Sequence, residues 1–169
     1  TAAYYGLEKE VDIQLGTLSK SLGSVGGYVA ANSTIIDYLV NMSRSFIFST
    51  ALSPADIGAA LAALHILESD TSVLGRLQNN VNYMADSLNS MGIYATNDTP
   101  IFPILIGSNE DTLTVSDYLY KAGIIGTAIR PPTVPVGESR IRLTVTAAHN
   151  KEQIDYVCRT LDKAIKELN

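Results

Sequence analysis

Lys20 has hydroxyl-bearing residues and glycines around it in the sequence, a combination suited to chemistry on a phosphorylated aldehyde. Thr17 and Ser19 precede it, and Gly23 follows it. A primary amine can attack an aldehyde to form an imine, and hydroxyls with glycine-exposed backbone N–H groups suit a phosphate. The alternative is a solvated surface lysine, because ammonium groups are rarely buried without a partner. Lys20 is therefore a candidate nucleophile.

A second set of candidate residues consists of arginines that lie near a proline-rich segment. The segment 129–135 contains Arg130 and three prolines, which restrict φ and stiffen the chain. Arg140 and Arg142 lie two positions apart in a predicted strand and should project from the same face. A guanidinium matches a carboxylate with two parallel hydrogen bonds. The alternative is solvated charge at a loop edge, so the arginines are candidate carboxylate ligands only.

The elements that must position these residues alternate between strands and helices. Runs of β-branched and apolar residues predict strands, and apolar residues at spacings of three and four predict helices. The predicted strands are 11–18, 28–31, 101–106, 124–128 and 140–146, with 46–48 as a short strand or extended segment. The predicted helices are one capped by Ser33, then 54–68, 74–91, 110–122 and a last helix after Asn150.

Two helix starts carry strong capping signals. Ser53 is followed by a proline at the first helical position, and Asn150 is followed three residues later by Gln153, which completes a capping box. Cys158, the only cysteine, falls on the apolar face of the last helix. This position predicts a small core residue, and a single cysteine cannot form a disulfide within the chain. His149, next to the last cap, is expected to make a structural hydrogen bond, and neither histidine indicates a metal site.

Composition and charge argue against several classes of function. The chain has 169 residues and a net charge of -5, with acidic residues scattered along it, so nucleic acid is not an expected partner. It contains no run of about 18 apolar residues and no signal-peptide pattern. We therefore expect a cytoplasmic protein that does not enter a membrane.

Three segments, in the same order, resemble the alpha-oxoamine synthases, a family of pyridoxal-phosphate enzymes, and the resemblance extends over essentially the whole chain. It implies a fold-type I, aspartate-aminotransferase-like α/β architecture with a truncated large domain. We expect residues 1–92 to end the large cofactor-binding domain and to supply connecting helices, and residues 93–169 to form the small carboxy-terminal α+β domain. The matching segments are 17–23 with 26–30, 48–54, and 129–135 with 140–149.

The resemblance also implies a role for each site residue. Lys20 would hold pyridoxal 5'-phosphate through an imine and would shuttle the Cα proton of the substrate. Thr17 would bind the cofactor phosphate, and Thr50 would reach the phosphate of the neighbouring subunit, since the family's active sites lie at a homodimer interface. Arg142 would bind the substrate carboxylate, with Arg130 as the second candidate.

The family condenses a small amino acid with an acyl-CoA thioester. Within it, the 129–135 segment is most similar to the 8-amino-7-oxononanoate synthase branch of biotin biosynthesis, which joins alanine to a pimeloyl thioester with loss of carbon dioxide. The alternative is the glycine C-acetyltransferase branch, also called 2-amino-3-ketobutyrate CoA ligase. That branch tends to an aromatic residue where this chain has Arg130 and Pro131.

One part of the family pattern is absent from this sequence. A segment upstream of the lysine supplies the family's aspartate partner for the pyridine nitrogen and its ring-stacking histidines, and the sequence begins shortly before Lys20. We therefore expect a fragment that is inactive alone and whose partner is the missing amino-terminal part of the same enzyme. A non-catalytic dimerisation lobe with inherited motifs is the alternative from a different functional class.

Overall fold

The computed structural model describes residues 2–168, which divide into two compact units between Asp70 and Thr71. The first unit contains α1 (Ala2–Tyr5), β1 (Ile13–Thr17), β2 (Gly27–Ala31), α2 (Ser33–Met42), α3 (Arg44–Ile47) and α4 (Pro54–Ser69). The second contains α5 (Ser72–Ser90), β3 (Ile101–Gly107), α6 (Asn109–Lys121), β4 (Thr127–Ile129), β5 (Ser139–Thr144) and α7 (Lys151–Lys166). The helix α5 thus lies in the second unit, while the predicted domains 1–92 and 93–169 stay a prediction.

The strands of the first unit form an antiparallel pair that requires glycine at two places. Gly16 is opposite Tyr28, and Thr17 is opposite Gly27. A Cβ atom on Gly16 would lie 2.4 Å from Cε1 of Tyr28, and one on Gly27 would lie 2.9 Å from the backbone oxygen of Gly16. Side chains at either position would collide with the opposite strand.

The first unit has almost no core of its own. Among its described residues, 2–70, only Ser24 and Ala60 are buried. Large apolar side chains remain exposed, with Leu15 at 81% and Phe48 at 76%. Soluble proteins rarely leave a contiguous apolar surface of this kind uncovered.

The second unit has a continuous hydrophobic core. Its sheet has the order β3-β5-β4 and is antiparallel throughout, so β5 is the central strand. The helix α6 packs on the sheet, and α7 packs on α5 and α6. Ile141 from the sheet and Leu161 from α7 are both fully buried in this cluster. Every second residue of β5 therefore faces the helices, and the others face away from them.

The capping predictions for Ser53 and Asn150 are confirmed. The Asp56 N–H donates to Oγ of Ser53 at 3.2 Å at the start of α4. At the start of α7, the Gln153 N–H donates to Asn150 Oδ1 at 2.8 Å and the Asn150 N–H donates to Gln153 Oε1 at 3.0 Å. The prediction that Cys158 is a core residue is also confirmed, since its side chain is fully buried.

Three local predictions were wrong. Residues 46–48 do not form a strand, because the N–H groups of Phe46 and Ile47 donate to the Ser43 oxygen in a helical turn that begins α3. Three apolar residues are too few to separate the helical period from the strand period. The helix α2 is capped by Asn32 instead of Ser33, through a 3.0 Å bond to its side chain from the Ile35 N–H. The strand β4 begins three residues later than predicted, at Thr127.

The helices α4 and α5 follow each other closely in the sequence. Within residues 2–168 no single helix is long and apolar enough to cross a membrane. The two helices meet that criterion only when they are taken together, and then by length and composition alone.

Candidate active site

Lys20 lies in the turn between β1 and β2, just beyond the end of β1, as the sequence predicted. The turn is closed at its base by the Leu18 N–H, which donates to the Gly26 oxygen at 2.9 Å. The Ser24 N–H donates to the Leu18 oxygen at 2.9 Å, and the Gly23 N–H donates to the Lys20 oxygen at 3.2 Å. These backbone bonds fix the path of the chain on both sides of Lys20.

Two hydroxyl groups lie next to this lysine. Oγ1 of Thr17 is 2.8 Å from Oγ of Ser19, and it also accepts the Ser19 N–H at 3.2 Å. Lys20 is exposed, and its side chain has no hydrogen bond or ion pair within residues 2–168. The turn therefore presents one unengaged primary amine beside two hydroxyls.

The turn is attached to the start of α4. Oγ of the buried Ser24 donates to the Asp56 oxygen at 2.6 Å. Gly26 has φ of 110°, and a Cβ atom there would lie 2.7 Å from Cδ1 of Leu52. Thr50 precedes this contact segment, is exposed, and has no side-chain hydrogen bond to another described residue. Thr17 and Lys20 thus belong to one hydrogen-bonded turn, and the described hydrogen bonds do not join Thr50 to either residue.

The chemistry of the lysine turn fits a phosphorylated aldehyde. The amine of Lys20 is available for an imine bond, and the hydroxyls of Thr17 and Ser19 can donate to phosphate oxygens. Gly16 and Gly27 serve the close approach of β1 and β2, because the Tyr28 ring and the Gly16 oxygen occupy the space above them. The donor set of the turn is therefore what suits a ligand of this class.

In the second unit, Arg142 lies on the face of the sheet that points away from the helices. It is opposite Pro103 on β3 and opposite Thr127 on β4. Pro103 lies on an edge strand, where a missing N–H is tolerated. Arg142 is exposed and has no hydrogen bond or ion pair from its guanidinium within the described chain. This guanidinium is therefore available to an external anion.

The other two arginines differ in their surroundings. Arg140 projects from the same face as Arg142, as predicted, but its Nη2 lies 2.9 Å from Oε2 of Glu138. Its Nε also donates to the Glu138 backbone oxygen at 3.0 Å. Arg130 follows β4, is exposed, and has no side-chain partner in the part of the chain described. Of the three, Arg140 is the one already engaged.

The segment after β5 is fixed by the side chains of Asn80 and His149. Nδ2 of Asn80 on α5 donates to the backbone oxygens of Thr146, at 3.0 Å, and His149, at 2.7 Å. The Thr146 N–H donates to Nδ1 of His149 at 3.1 Å. This confirms the structural hydrogen bond predicted for His149. Together these hydrogen bonds fix the end of β5, the central strand that carries Arg142.

Sequence reasoning missed Ser24, Asn80 and Glu138. Ser24 and Asn80 act across 32 and 69 residues of sequence, and no local pattern connects them to their partners. Glu138 could have been found, because it lies two residues before Arg140 and residues at that spacing share one side of an extended chain. Thus only the Glu138 contact had a local signal.

A family comparison covers nearly the whole chain. Residues 1–161 match the family described as "Aminotransferase class I and II". The chain belongs to this family. The family resemblance stated from the three sequence segments is thereby confirmed at the level of the family.

Curated relatives match along nearly the whole chain. The 8-amino-7-oxononanoate synthase of Lysinibacillus sphaericus is 41% identical over 169 residues, which covers 99% of this chain and 43% of the relative. That of Thermoanaerobacter pseudethanolicus is 39% identical over 170 residues, covering 100% of this chain and 43% of the relative. The chain therefore spans less than half the length of these relatives.

Solved structures match the fold. A serine palmitoyltransferase from S. paucimobilis with bound PLP–myriocin aldimine has a TM-score of 0.91 at 26% identity, covering 99% of this chain and 43% of that one. The 8-amino-7-oxononanoate synthase from Francisella tularensis has a TM-score of 0.79 at 26% identity, covering 92% and 46%. The predicted fold-type I class, with part of the large domain followed by an α+β domain, is confirmed.

Proposed function

We propose that this chain is the carboxy-terminal part of a pyridoxal-phosphate-dependent acyltransferase, an 8-amino-7-oxononanoate synthase. The enzyme would join alanine to a pimeloyl thioester. A bond forms between the alanine Cα and the acyl carbon, the thioester C–S bond breaks to release the thiol, and the alanine carboxylate leaves as carbon dioxide. The observation that carries the proposal is the end-to-end similarity to relatives of that name, with an unengaged Lys20 at the matching motif.

The lysine turn would hold the cofactor. Pyridoxal phosphate, when bound, acts as an electron sink for the bonds at the substrate Cα. Nζ of Lys20 would bond to the cofactor aldehyde, and after displacement by the amino acid it would take up and return the Cα proton. Oγ1 of Thr17 would donate to the phosphate, in place of its 3.3 Å bond to the Gly26 oxygen. The backbone hydrogen bonds around the turn would hold the backbone of Lys20 and Thr17 in a fixed relative position.

Arg142 would hold the amino-acid carboxylate. A guanidinium that binds a carboxylate through two parallel bonds fixes its plane as well as its position. This matters because the bond that breaks at Cα is selected by its angle to the cofactor plane. Arg130 is the second candidate, since its guanidinium also lacks a partner among the described residues.

The partners follow from what the first unit lacks. Its exposed apolar side chains would be covered by the amino-terminal part of the same enzyme, whose relatives are more than twice the length of this chain. That part would supply the acid for the pyridine nitrogen and the residues that stack on the ring. A homodimer is proposed as well, with Thr50 directed to the phosphate of the neighbouring subunit. Cytoplasmic location stays a prediction.

One sequence feature separates the proposed reaction from its enzymatic alternative. Arg130 and Pro131 stand where glycine C-acetyltransferases tend to carry an aromatic residue. The substrates then distinguish the two reactions, because one joins alanine to a pimeloyl thioester and the other joins glycine to acetyl-CoA. The non-catalytic alternative predicts neither reaction.

The test is to express this chain with its natural upstream segment and to measure thiol release from each thioester with alanine or glycine. We expect release from pimeloyl thioester with alanine, and none from these 169 residues alone, because the family resemblance places the acid for the pyridine nitrogen in the upstream segment. Preference for glycine and acetyl-CoA would select the alternative enzyme. Absence of thiol release from every substrate pair would support the non-catalytic lobe. Turnover by the lone chain would show that the upstream segment does not supply essential catalytic groups.

A further inference from the structure

Glu138 engages Arg140 through two separate acceptors. Its carboxylate accepts from Nη2 at 2.9 Å, and its backbone oxygen accepts from Nε at 3.0 Å. The side chain of Arg140 is 28% exposed, so the guanidinium is partly withdrawn from solvent, while that of Glu138 is 54% exposed. This arrangement both orients Arg140 and neutralises its charge.

Arg142 is adjacent on the same sheet face and lacks such a partner. The two arginines alternate with the buried Ile141 along β5, so their Cα atoms lie roughly 6.5 Å apart. Across the strands, Arg142 is opposite Pro103 and Thr127, which carry no charge. The face therefore holds two guanidinium groups but presents one available positive charge.

We infer that Glu138 determines the specificity of this face: by holding Arg140, it leaves Arg142 as a single carboxylate anchor and disfavours dicarboxylate ligands. A free Arg140 would create a second anchor at a spacing that a short dicarboxylate can bridge. A single carboxylate would gain less, because the two parallel bonds that it forms with one guanidinium already engage both of its oxygens. The inference rests on the proposed function only for the identity of the natural ligand, an amino acid with one carboxylate.

The binding test uses this chain together with its upstream segment, without added cofactor. Acetate and glutarate are the probes, and the Nε–H signals of the arginines are followed by NMR at low salt. In the unaltered protein we expect both probes to shift the Arg142 signal and to leave that of Arg140 in place. Glu138→Ala should lower the dissociation constant of glutarate about three- to fivefold, which is the scale of one exposed charge pair. It should change the dissociation constant of acetate by less than about twofold.

Two variants separate specific action from a change in net charge. In the double variant Glu138→Ala with Arg140→Gln, the gain for glutarate should vanish, because the second anchor is gone. Glu110→Ala removes an exposed acid from α6 and should leave the binding of both probes unchanged. Unaltered glutarate binding in Glu138→Ala, or a gain that persists in the double variant, would overturn the inference.

The catalytic readout is independent of this titration. In the assembled enzyme, Glu138→Ala should make glutarate a stronger competitor of the amino acid, while kcat at saturating amino acid stays within about twofold. If the enzyme shows no turnover but the titration behaves as expected, the proposed function fails and the role of Glu138 stands. If turnover is present and Glu138→Ala does not change the titration, the proposed function stands and the role of Glu138 fails.

Discussion

Oγ1 of Thr17 and Oγ of Ser19 lie 2.8 Å apart, and Ser19 immediately precedes Lys20 in the chain. The contact bends the chain at the end of β1, since the same Thr17 oxygen also accepts the Ser19 N–H at 3.2 Å. A primary amine and the hydroxyl proposed to bind the phosphate are thereby placed in one turn of fixed backbone.

In the assembled enzyme, Lys20→Ala should remove the visible absorbance of the lysine-bound cofactor and abolish turnover, because no other amine lies in the turn. Lys20→Arg should behave in the same way, since a guanidinium stays protonated and cannot attack the aldehyde. Absorbance spectra and thiol release measure both effects. Ser19→Ala, which leaves the lysine intact, is the control and should keep the absorbance. Retention of colour and turnover in Lys20→Ala would refute the assignment.

Arg142→Lys should leave cofactor binding intact and weaken amino-acid binding. A point charge cannot reproduce a two-pronged contact, and a hydrogen bond to a charged group contributes about 1.5 to 3 kcal/mol. Amino-acid affinity, read from the spectral shift of the bound cofactor, measures the loss. Arg140→Lys is the matched control and should change little, because Glu138 already engages that residue. If only the control loses affinity, the carboxylate role moves from Arg142 to Arg140.

Two leucines on helices should differ sharply in their contribution to the free energy of unfolding. Leu161 is fully buried in α7, whereas Leu61 in α4 is 50% exposed. In the 169-residue chain, Leu161→Ala should cost about 2 to 5 kcal/mol, because it leaves a cavity. Leu61→Ala should cost less than about 1 kcal/mol. Chemical denaturation followed by circular dichroism compares them, and equal losses would contradict the proposed lack of a core in the first unit.

Burial raises the pKa of the Cys158 thiol from 9.0 to about 11, with a smaller contribution from the nearby Asp155 carboxylate. Because the folded pKa exceeds the unfolded one, the thiol's contribution to stability is full below about pH 9 and is lost as the pH rises towards 11. Cys158→Ala should therefore lose less stability between these pH values than the unaltered chain does. Denaturation curves measured across that window give the comparison. Identical pH dependence in the two proteins would show that the thiol does not titrate as described.

Most of the fold could be predicted from the sequence where local signals were strong. The caps at Ser53 and Asn150 and the apolar face that includes Cys158 were found because they depend on residues a few positions apart. The start of β4 was misplaced, because Ile124 is apolar and buried but lies before the strand. Burial alone cannot distinguish a strand residue from a buried loop residue.

The candidate site was only partly predictable for a different reason. Lys20, Thr17 and Arg142 could be named as candidates because their motifs are contiguous in sequence, and their roles remain predictions. The groups that hold them come from elsewhere: Ser24 binds the start of α4, and Asn80 reaches across from α5 to the end of β5. A long-range hydrogen bond leaves no periodic signal at either end. The supporting contacts could therefore be identified only from the structure.

The close approach of Gly16 to the ring of Tyr28 links the substitutions permitted at the two positions. A side chain at position 16 would enter the space that the ring occupies, with contacts of 2.4 to 2.7 Å. Alanine at 16 therefore becomes acceptable only after Tyr28 has been replaced by a smaller residue or has turned aside. The two positions should consequently covary among homologues: a side chain at 16 requires either a smaller residue at 28 or a ring that has swung outward, which the 52% exposure of Tyr28 permits.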